Sequence, residues 1–171
     1  MEGDKLDALY GMPGHLIRRV QQIHSAIFAE ECAKFGLTSV QFAALTAIAA
    51  NAGVDATRLS ALIAFDRSTL GDVLTRVEAK QWIVRKPCPS DKRIKLLWIT
   101  EQGADLLRQV EPVIGQVQHR LLAPLRPKDR SVFVRLLAAI ADVHNDLVSA
   151  PLRPEAGRRD LQNEVSGIQT G

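Results

Sequence analysis

The sequence predicts a mainly α-helical chain carrying one small β-ribbon, and three observations predict it. Hydrophobic residues make up 46% of the 171 positions while aromatics make up only 5%, the composition of a helical core built from Leu, Ile, Val and Ala. Apolar residues recur at i, i+3, i+4 and i+7 through most of the chain, the period of one buried helix face. Between residues 83 and 99 the pattern turns β-like, in Ile83-Val84-Arg85-Lys86 and Lys95-Leu96-Leu97-Trp98-Ile99. These runs are separated by Pro87, Pro89 and a basic tip, Ser90-Asp91-Lys92-Arg93.

Taken in order, Pro13 suits the first turn of a helix. Leu16, Ile17, Val20, Ile23, Ile27 and Phe28 extend its apolar stripe to about Phe35, where Gly36 can close it. Thr38-Ser39-Val40-Gln41 reads as a capping box ahead of Phe42, Leu45 and Ile48, opening a second helix that runs to about Ala50. Asn51-Ala52-Gly53 breaks the pattern, and Ala56 to Ile63 suffices for a short helix. A turn at Ala64-Phe65-Asp66 follows, with Asp66 available as the N-cap of the next helix. There Leu70, Val73, Leu74 and Val77 form the inner stripe, while Ser68, Asp72, Thr75, Arg76 and Ala79 face outward. Gln81 occupies the exit position where glycine is preferred, so either strain or a different closing geometry is expected there.

Thr100 caps a helix of about six turns carrying Leu106, Leu107, Val110, Val113, Ile114, Val117, Leu121 and Leu122. Pro112 lies inside it and predicts a kink near Leu107 to Glu111. Pro124 and Pro127 separate it from a last helix whose buried face is Val132, Phe133, Leu136, Leu137, Ile140, Val143 and Leu147, ending near Ser149. Residues 151–171 hold two prolines, several glycines and little apolar periodicity, and are expected to form a flexible tail.

The charge is uneven. The net is +3, but residues 55–100 carry nine cations against five anions, so that segment is +4 and the remainder −1. An ordinary solvated face balances its signs, whereas a cationic excess fits phosphate neutralisation. A helix with an outer face of small hydroxyls and an arginine, followed by a ribbon with a cationic tip, is the outline of a winged helix-turn-helix. The competing reading is a buried helix packed on a small hairpin, as occurs in many folds, and the charge imbalance favours DNA over it. The flanking helices are longer than a DNA-reading module needs. A closed bundle within a monomer is one way to bury their wide apolar stripes; a two-fold dimer does the same and also spaces two recognition helices roughly 34 Å apart, so the dimer is expected.

Several classes are disfavoured. There is no GxSxG, HExxH, glycine-rich phosphate loop or compact carboxylate pair, so no enzyme and no cofactor are expected. His15, His24, His119 and His144 lack metal spacing, and Cys32 and Cys88 form no CxxC. No apolar run reaches membrane-spanning length and the acidic N-terminus lacks signal-peptide features, so a soluble cytoplasmic protein is expected.

At this point the chain resembles the MarR family of bacterial transcriptional regulators over roughly Gly11 to Val148. The resemblance is carried by Leu37-Thr38-Ser39-Val40-Gln41-Phe42, Asp66-Arg67-Ser68-Thr69-Leu70, Arg76-Val77-Glu78-Ala79-Lys80, Asp91-Lys92-Arg93, Ile99-Thr100 and Gly103. It departs from the family pattern at Gln81-Trp82, where glycine and an aliphatic residue are usual, and at Pro87-Cys88-Pro89, which stiffens the wing. The resemblance implies one domain over residues 1–150. In it, 11–36 and 100–149 supply a homodimer interface and 37–99 form a DNA-reading lobe for a pseudo-palindromic operator.

It further implies that Ser68, Thr69, Asp72, Thr75 and Arg76 lie in or beside the major groove. Arg93 enters the minor groove, held by Asp91, and Lys86, Lys92 and Lys95 add cations along the wing. Arg76 is read as a phosphate contact, a base reader, or the partner of Asp72 one turn earlier. Arg67 is counted with these DNA-binding candidates, although it lies nearer the core edge and is expected to be partly structural as well.

Family members are mostly repressors released by small molecules. His15, Arg18, Arg19 and His24 are candidates for a ligand site in which an arginine pairs with the carboxylate of an aromatic acid or accompanies its coenzyme A thioester. For the arginines the alternative is ion pairing at the surface or dimer interface. A second mode of sensing is through cysteine, with Cys32 expected in the core and Cys88 exposed in the wing among cations that lower its pKa. A helical interaction dimer without DNA binding is the remaining alternative.

Overall fold

The computed structural model describes residues 2–154. Helices α1 (Glu2–Tyr10) and α2 (Pro13–Glu31) lead through a 3-10 turn at Ala33–Phe35 into α3 (Ser39–Ala50), β1 (Val54–Asp55), α4 (Ala56–Ile63) and α5 (Arg67–Ala79). Then follow β2 (Ile83–Pro87), β3 (Lys95–Ile99), α6 (Glu101–Leu122), α7 (Pro127–Val143) and a 3-10 turn at Asn145–Leu147. The three strands form one antiparallel sheet in the order β1-β3-β2, with Arg85 opposite Leu97 and Val54 opposite Leu97 on the other edge. Two elements were not foreseen. Helix α1 precedes the expected start at Pro13, and β1 is a two-residue strand too short to have a period.

The helix starts are held as their sequences require. The Thr38 hydroxyl accepts from the Gln41 amide at 3.3 Å, and the Gln41 side chain accepts from the Thr38 amide at 3.1 Å. Asp55 caps α4 by accepting from the Thr57 and Arg58 amides at 2.8 and 3.0 Å. Asp66 caps α5 through the Ser68 and Thr69 amides at 3.0 and 3.4 Å, and also accepts from the Ser68 hydroxyl. These bonds, that of the Ser68 hydroxyl foremost, hold the Asp66 carboxyl below the usual carboxylate range. The turn between α4 and α5 places Ala64 in the left-handed region, φ 48°, and is closed by the Ser60 hydroxyl donating to the Phe65 carbonyl at 2.8 Å.

The exit of α5 keeps the geometry that glycine normally serves. Gln81 adopts φ 59°, its amide donates to the Glu78 carbonyl at 2.8 Å, and the Trp82 amide donates to Val77 at 3.0 Å. That is a Schellman closure with a non-glycine residue at its left-handed position. A side chain there costs on the order of 1 kcal/mol. Gln81→Gly is therefore expected to raise stability by about 0.5 kcal/mol once the extra freedom of the unfolded chain is set against the relieved strain. Denaturant unfolding checks this, and an unchanged or lower midpoint would refute it.

The core runs through both halves of the chain. Phe28, Cys32, Leu45, Ile48, Leu59, Leu70, Leu74, Val77, Ile83, Leu97, Val110 and Val117 belong to one buried cluster. Helix α6 continues through Pro112. The apolar face expected to be buried on the last helix is instead mostly exposed within one chain: Ile140 is 54% and Val143 79% accessible. Leu16, Ile17, Val20 and Ile23 of α2 and Leu6, Leu9 and Tyr10 of α1 are exposed as well. The physical reason is that α7 makes its principal contacts with the 3-10 turn that follows it rather than with the core.

Beyond α7 the chain is tied down as far as Arg153. Asn145 exchanges two hydrogen bonds with Leu152, at 2.7 and 3.1 Å, and the Arg153 amide donates to the Ala61 carbonyl of α4 at 2.8 Å. The expected flexible tail thus begins with held residues, and residues 155–171 lie outside the described residues.

Candidate nucleic-acid interface

Helix α5 presents its inner stripe of Leu70, Val73, Leu74 and Val77 to the core, so the opposite face is open. Arg67, Ser68, Thr69, Asp72, Thr75 and Arg76 are all exposed. Arg67 is thus a free surface cation rather than the partly structural residue expected, because it stands in the first turn before the buried stripe begins. Among the described residues Arg76 forms no ion pair with Asp72, which leaves its guanidinium available to an external partner. Two hydroxyls are less free than their exposure suggests. Ser68 donates to the Asp66 carboxylate, and Thr75 donates to the Gly71 carbonyl at 3.0 Å.

The wing places its cations on the same lobe. Arg93 is 91% exposed, and its Nε and Nη2 donate to the Asp91 carboxylate at 3.0 and 2.9 Å. The Arg93 guanidinium beside it holds the Asp91 carboxyl below the usual carboxylate range, while Asp91 raises the arginine further. The pair is two residues apart on a tight turn, so the carboxylate aims the guanidinium at little cost in side-chain entropy. Lys92 and Lys95 are exposed, and the Lys86 ammonium lies 5.5 Å from the centre of the Trp98 ring. Cys88 was expected to be exposed. It is 5% accessible, with its sulfur 3.1 Å from the Ser90 hydroxyl, because the turn closes over it through the Cys88 amide and the Ile94 carbonyl at 2.9 Å.

Two residues absent from the sequence-based site organise it. Arg85, on β2, reaches α5: its Nη2 donates to the Thr75 hydroxyl at 3.2 Å, and its Nε lies 2.8 Å from the Glu78 carboxylate without hydrogen-bond alignment. Strand alternation was the available signal, since Arg85 shares the face of buried Ile83. Lys80 donates to the Gly36 carbonyl at 2.6 Å and sits 4.4 Å from the centre of the Trp82 ring, fastening the end of α5 to the turn after α2. That contact spans 44 residues and had no local signal.

The ligand candidates separate into two groups. His15 is half-buried, with the Arg18 Nη2 3.4 Å from its Nδ1 and the Tyr10 ring centre 5.4 Å away, and its Nε2 is buried without a partner among the described residues. His24 instead packs edge-on against Phe28, ring centres 6.2 Å apart, and Arg19 is exposed on the helix surface. Cys32 is fully buried, and burial first, then the neighbouring Glu31, pushes its thiol up.

Comparison with known proteins agrees with this geometry. The MarR family model matches residues 37–95, which span α3 to the start of β3. The HTH-type transcriptional repressor NicR of Pseudomonas putida is 30% identical over 129 residues, covering 75% of this chain and 82% of NicR. The chain belongs to the MarR family. It is accordingly a DNA-binding transcriptional regulator and not an enzyme.

Solved MarR-like structures share its fold and part of its sequence. A structure of BpsR from Bordetella bronchiseptica, described as showing how 6-hydroxynicotinic acid regulates its DNA binding, superposes with a TM-score of 0.73 at 28% identity, covering 78% of this chain and 95% of BpsR. PcaV from Streptomyces coelicolor, in complex with its natural ligand, gives a TM-score of 0.69 at 33% identity, covering 78% and 94%. Within this MarR-family chain, no helix among the described residues is long and apolar enough to cross a membrane.

Proposed function

We propose that two copies of this MarR-family chain bind a pseudo-palindromic operator as a repressor and are released by a small aromatic carboxylate. The observation that carries the DNA part is the co-location of the open face of α5 with the Asp91-held Arg93 on one lobe. In this reading Arg67, Ser68, Thr69, Asp72 and Arg76 meet the major groove, Arg93 enters the minor groove, and Lys86, Lys92 and Lys95 neutralise phosphates. Residues 37–99 form the reading lobe. Residues 11–36 and 100–149 pair the protomers, which accounts for the apolar side chains left exposed on α2 and α7.

For the effector, His15 and Arg18 supply an imidazole and a guanidinium beside the Tyr10 ring, suited to a planar carboxylate. BpsR, whose DNA binding answers to 6-hydroxynicotinic acid, favours a small acid over a coenzyme A thioester. The burial of both cysteines argues against redox sensing, and at Cys32 burial also pushes the thiol up, which leaves little thiolate. A ligand acts here only through its differential affinity for a dimer whose recognition helices are wrongly spaced.

The test is fluorescence anisotropy of the duplex upstream of the protein's own coding region, titrated with protein and then with hydroxylated benzoic and nicotinic acids and their thioesters. Binding at about 10 nM or tighter, released by a free acid, is expected. In Arg18→Ala the operator affinity should persist while the effector concentration needed rises at least about tenfold. Release by thioesters alone, or an Arg18→Ala response equal to wild type, would overturn the effector assignment.

A further inference from the structure

We propose that Arg85 is a positioning residue for DNA recognition: it clamps the recognition helix to the wing, so that both grooves are engaged at one fixed angle. The inference rests on the assignment of α5 and the wing to DNA, and goes beyond it by naming what holds the two together. Alternation along β2 turns Arg85 inward with Ile83, opposite Leu97 on β3, and so toward α5. Thr75 and Glu78, three residues apart and therefore on one side of that helix, receive it. The Thr75 hydroxyl accepts from Nη2 at 3.2 Å, and the Glu78 carboxylate lies 2.8 Å from Nε.

The clamp has a consequence for what α5 can read. The single proton of the Thr75 hydroxyl is used on the Gly71 carbonyl at 3.0 Å, and one lone pair is used by Arg85. What Thr75 offers a base is its methyl group and one remaining lone pair, so direct reading falls chiefly to its neighbours on that face. Both arginines have a carboxylate partner, but the Arg85 side chain is only 28% exposed where that of Arg93 is 91%, which makes Arg85 the poorer phosphate ligand. A planar guanidinium suits the role because its Nη2 donates to Thr75 while its Nε lies against the Glu78 carboxylate, whereas an ammonium is a point charge.

The experiment selects the preferred duplex from a randomised 30-base-pair pool with wild-type protein. It then compares that duplex with a shuffled one for Arg85→Met, Arg85→Lys, Glu78→Gln and Thr75→Val across a salt series, with melting temperatures measured alongside. The clamp predicts that the specific-to-nonspecific affinity ratio falls about tenfold in Arg85→Met. It predicts the same direction in Glu78→Gln, although that change removes negative charge, and no rescue by Arg85→Lys. Shuffled-duplex affinity and salt slope stay close to wild type.

A direct phosphate role predicts the opposite: equal loss on both duplexes and a shallower slope in Arg85→Met, rescue by lysine, and tighter binding in Glu78→Gln. That pattern, or a uniform loss tracking only the melting temperature, overturns the clamp. Failure of the wild type to enrich any sequence overturns the DNA reading itself, and the clamp with it.

Discussion

Arg93→Ala is expected to weaken operator binding by about 100-fold at 0.15 M salt, because each of two wings loses a charge-assisted contact of about 1.5 kcal/mol. The guanidinium is 91% exposed and points away from the core, so its removal leaves packing untouched and the melting temperature near that of wild type. Its only partner among the described residues is Asp91, on the same turn. The slope of log affinity against log salt should become shallower by about 2, one counterion per wing. Arg93→Lys separates charge from shape: it should restore the slope while recovering only part of the affinity, since an ammonium lacks the planar fork that Asp91 aims. An unaltered slope in Arg93→Ala would remove the wing from the interface.

The second large effect concerns stability. A Cβ on Gly103 would stand 2.1 Å from the Trp82 carbonyl oxygen and 3.1 Å from Ile99 Cδ1. The carbonyl has little freedom to retreat: it accepts from the Thr100 amide at 3.0 Å, while the Trp82 amide is held by Val77 at 3.0 Å. The Thr100 hydroxyl pins the same corner by donating to the Gln81 carbonyl at 2.7 Å and accepting from the Gly103 amide at 3.0 Å. Gly103→Ala is therefore expected to cost about 3 kcal/mol, lowering the melting temperature by roughly 6–12 °C.

Gly115→Ala in the same helix is the control. Nothing lies within 4 Å of its added Cβ in one chain, so helix propensity alone predicts stabilisation of up to about 1 kcal/mol. Equal melting of the two variants would show that α6 does not approach the α5 exit this closely. Because Gly103 joins the wing base to α6, its substitution also loosens the connection between the reading lobe and the pairing helices.

Much of this molecule was readable because its signals are short-range. The Thr38–Gln41 box, the Asp66 cap and the turn at Ala64 each involve residues within a few positions of one another, whereas the Asp91–Arg93 pair was expected from the family resemblance. Local chemistry decides such features whatever the rest of the chain does. The departure at Gln81 was legible too, and the structure retains a glycine-type closure around it. The readings that failed share the opposite property. Cys88 looks exposed among cations and prolines, yet it is covered when its turn folds back through Ile94. Arg67 looks half-structural from its neighbours, yet the packing of α5 leaves it in solvent.

By itself, then, the sequence determined where each main helix and strand begins, which stripe of each helix is apolar, and where the cations gather. These follow from backbone propensity, side-chain period and charge, all properties of neighbours in the chain. Tertiary structure alone decided that Arg85 joins the wing to α5, that Lys80 reaches back to Gly36, and that Gly103 admits no side chain. It also decided that the apolar stripe of α7 faces outward within one copy. Each of these depends on which distant surface arrives at a given side chain, and periodicity specifies that a face is apolar without specifying what will cover it.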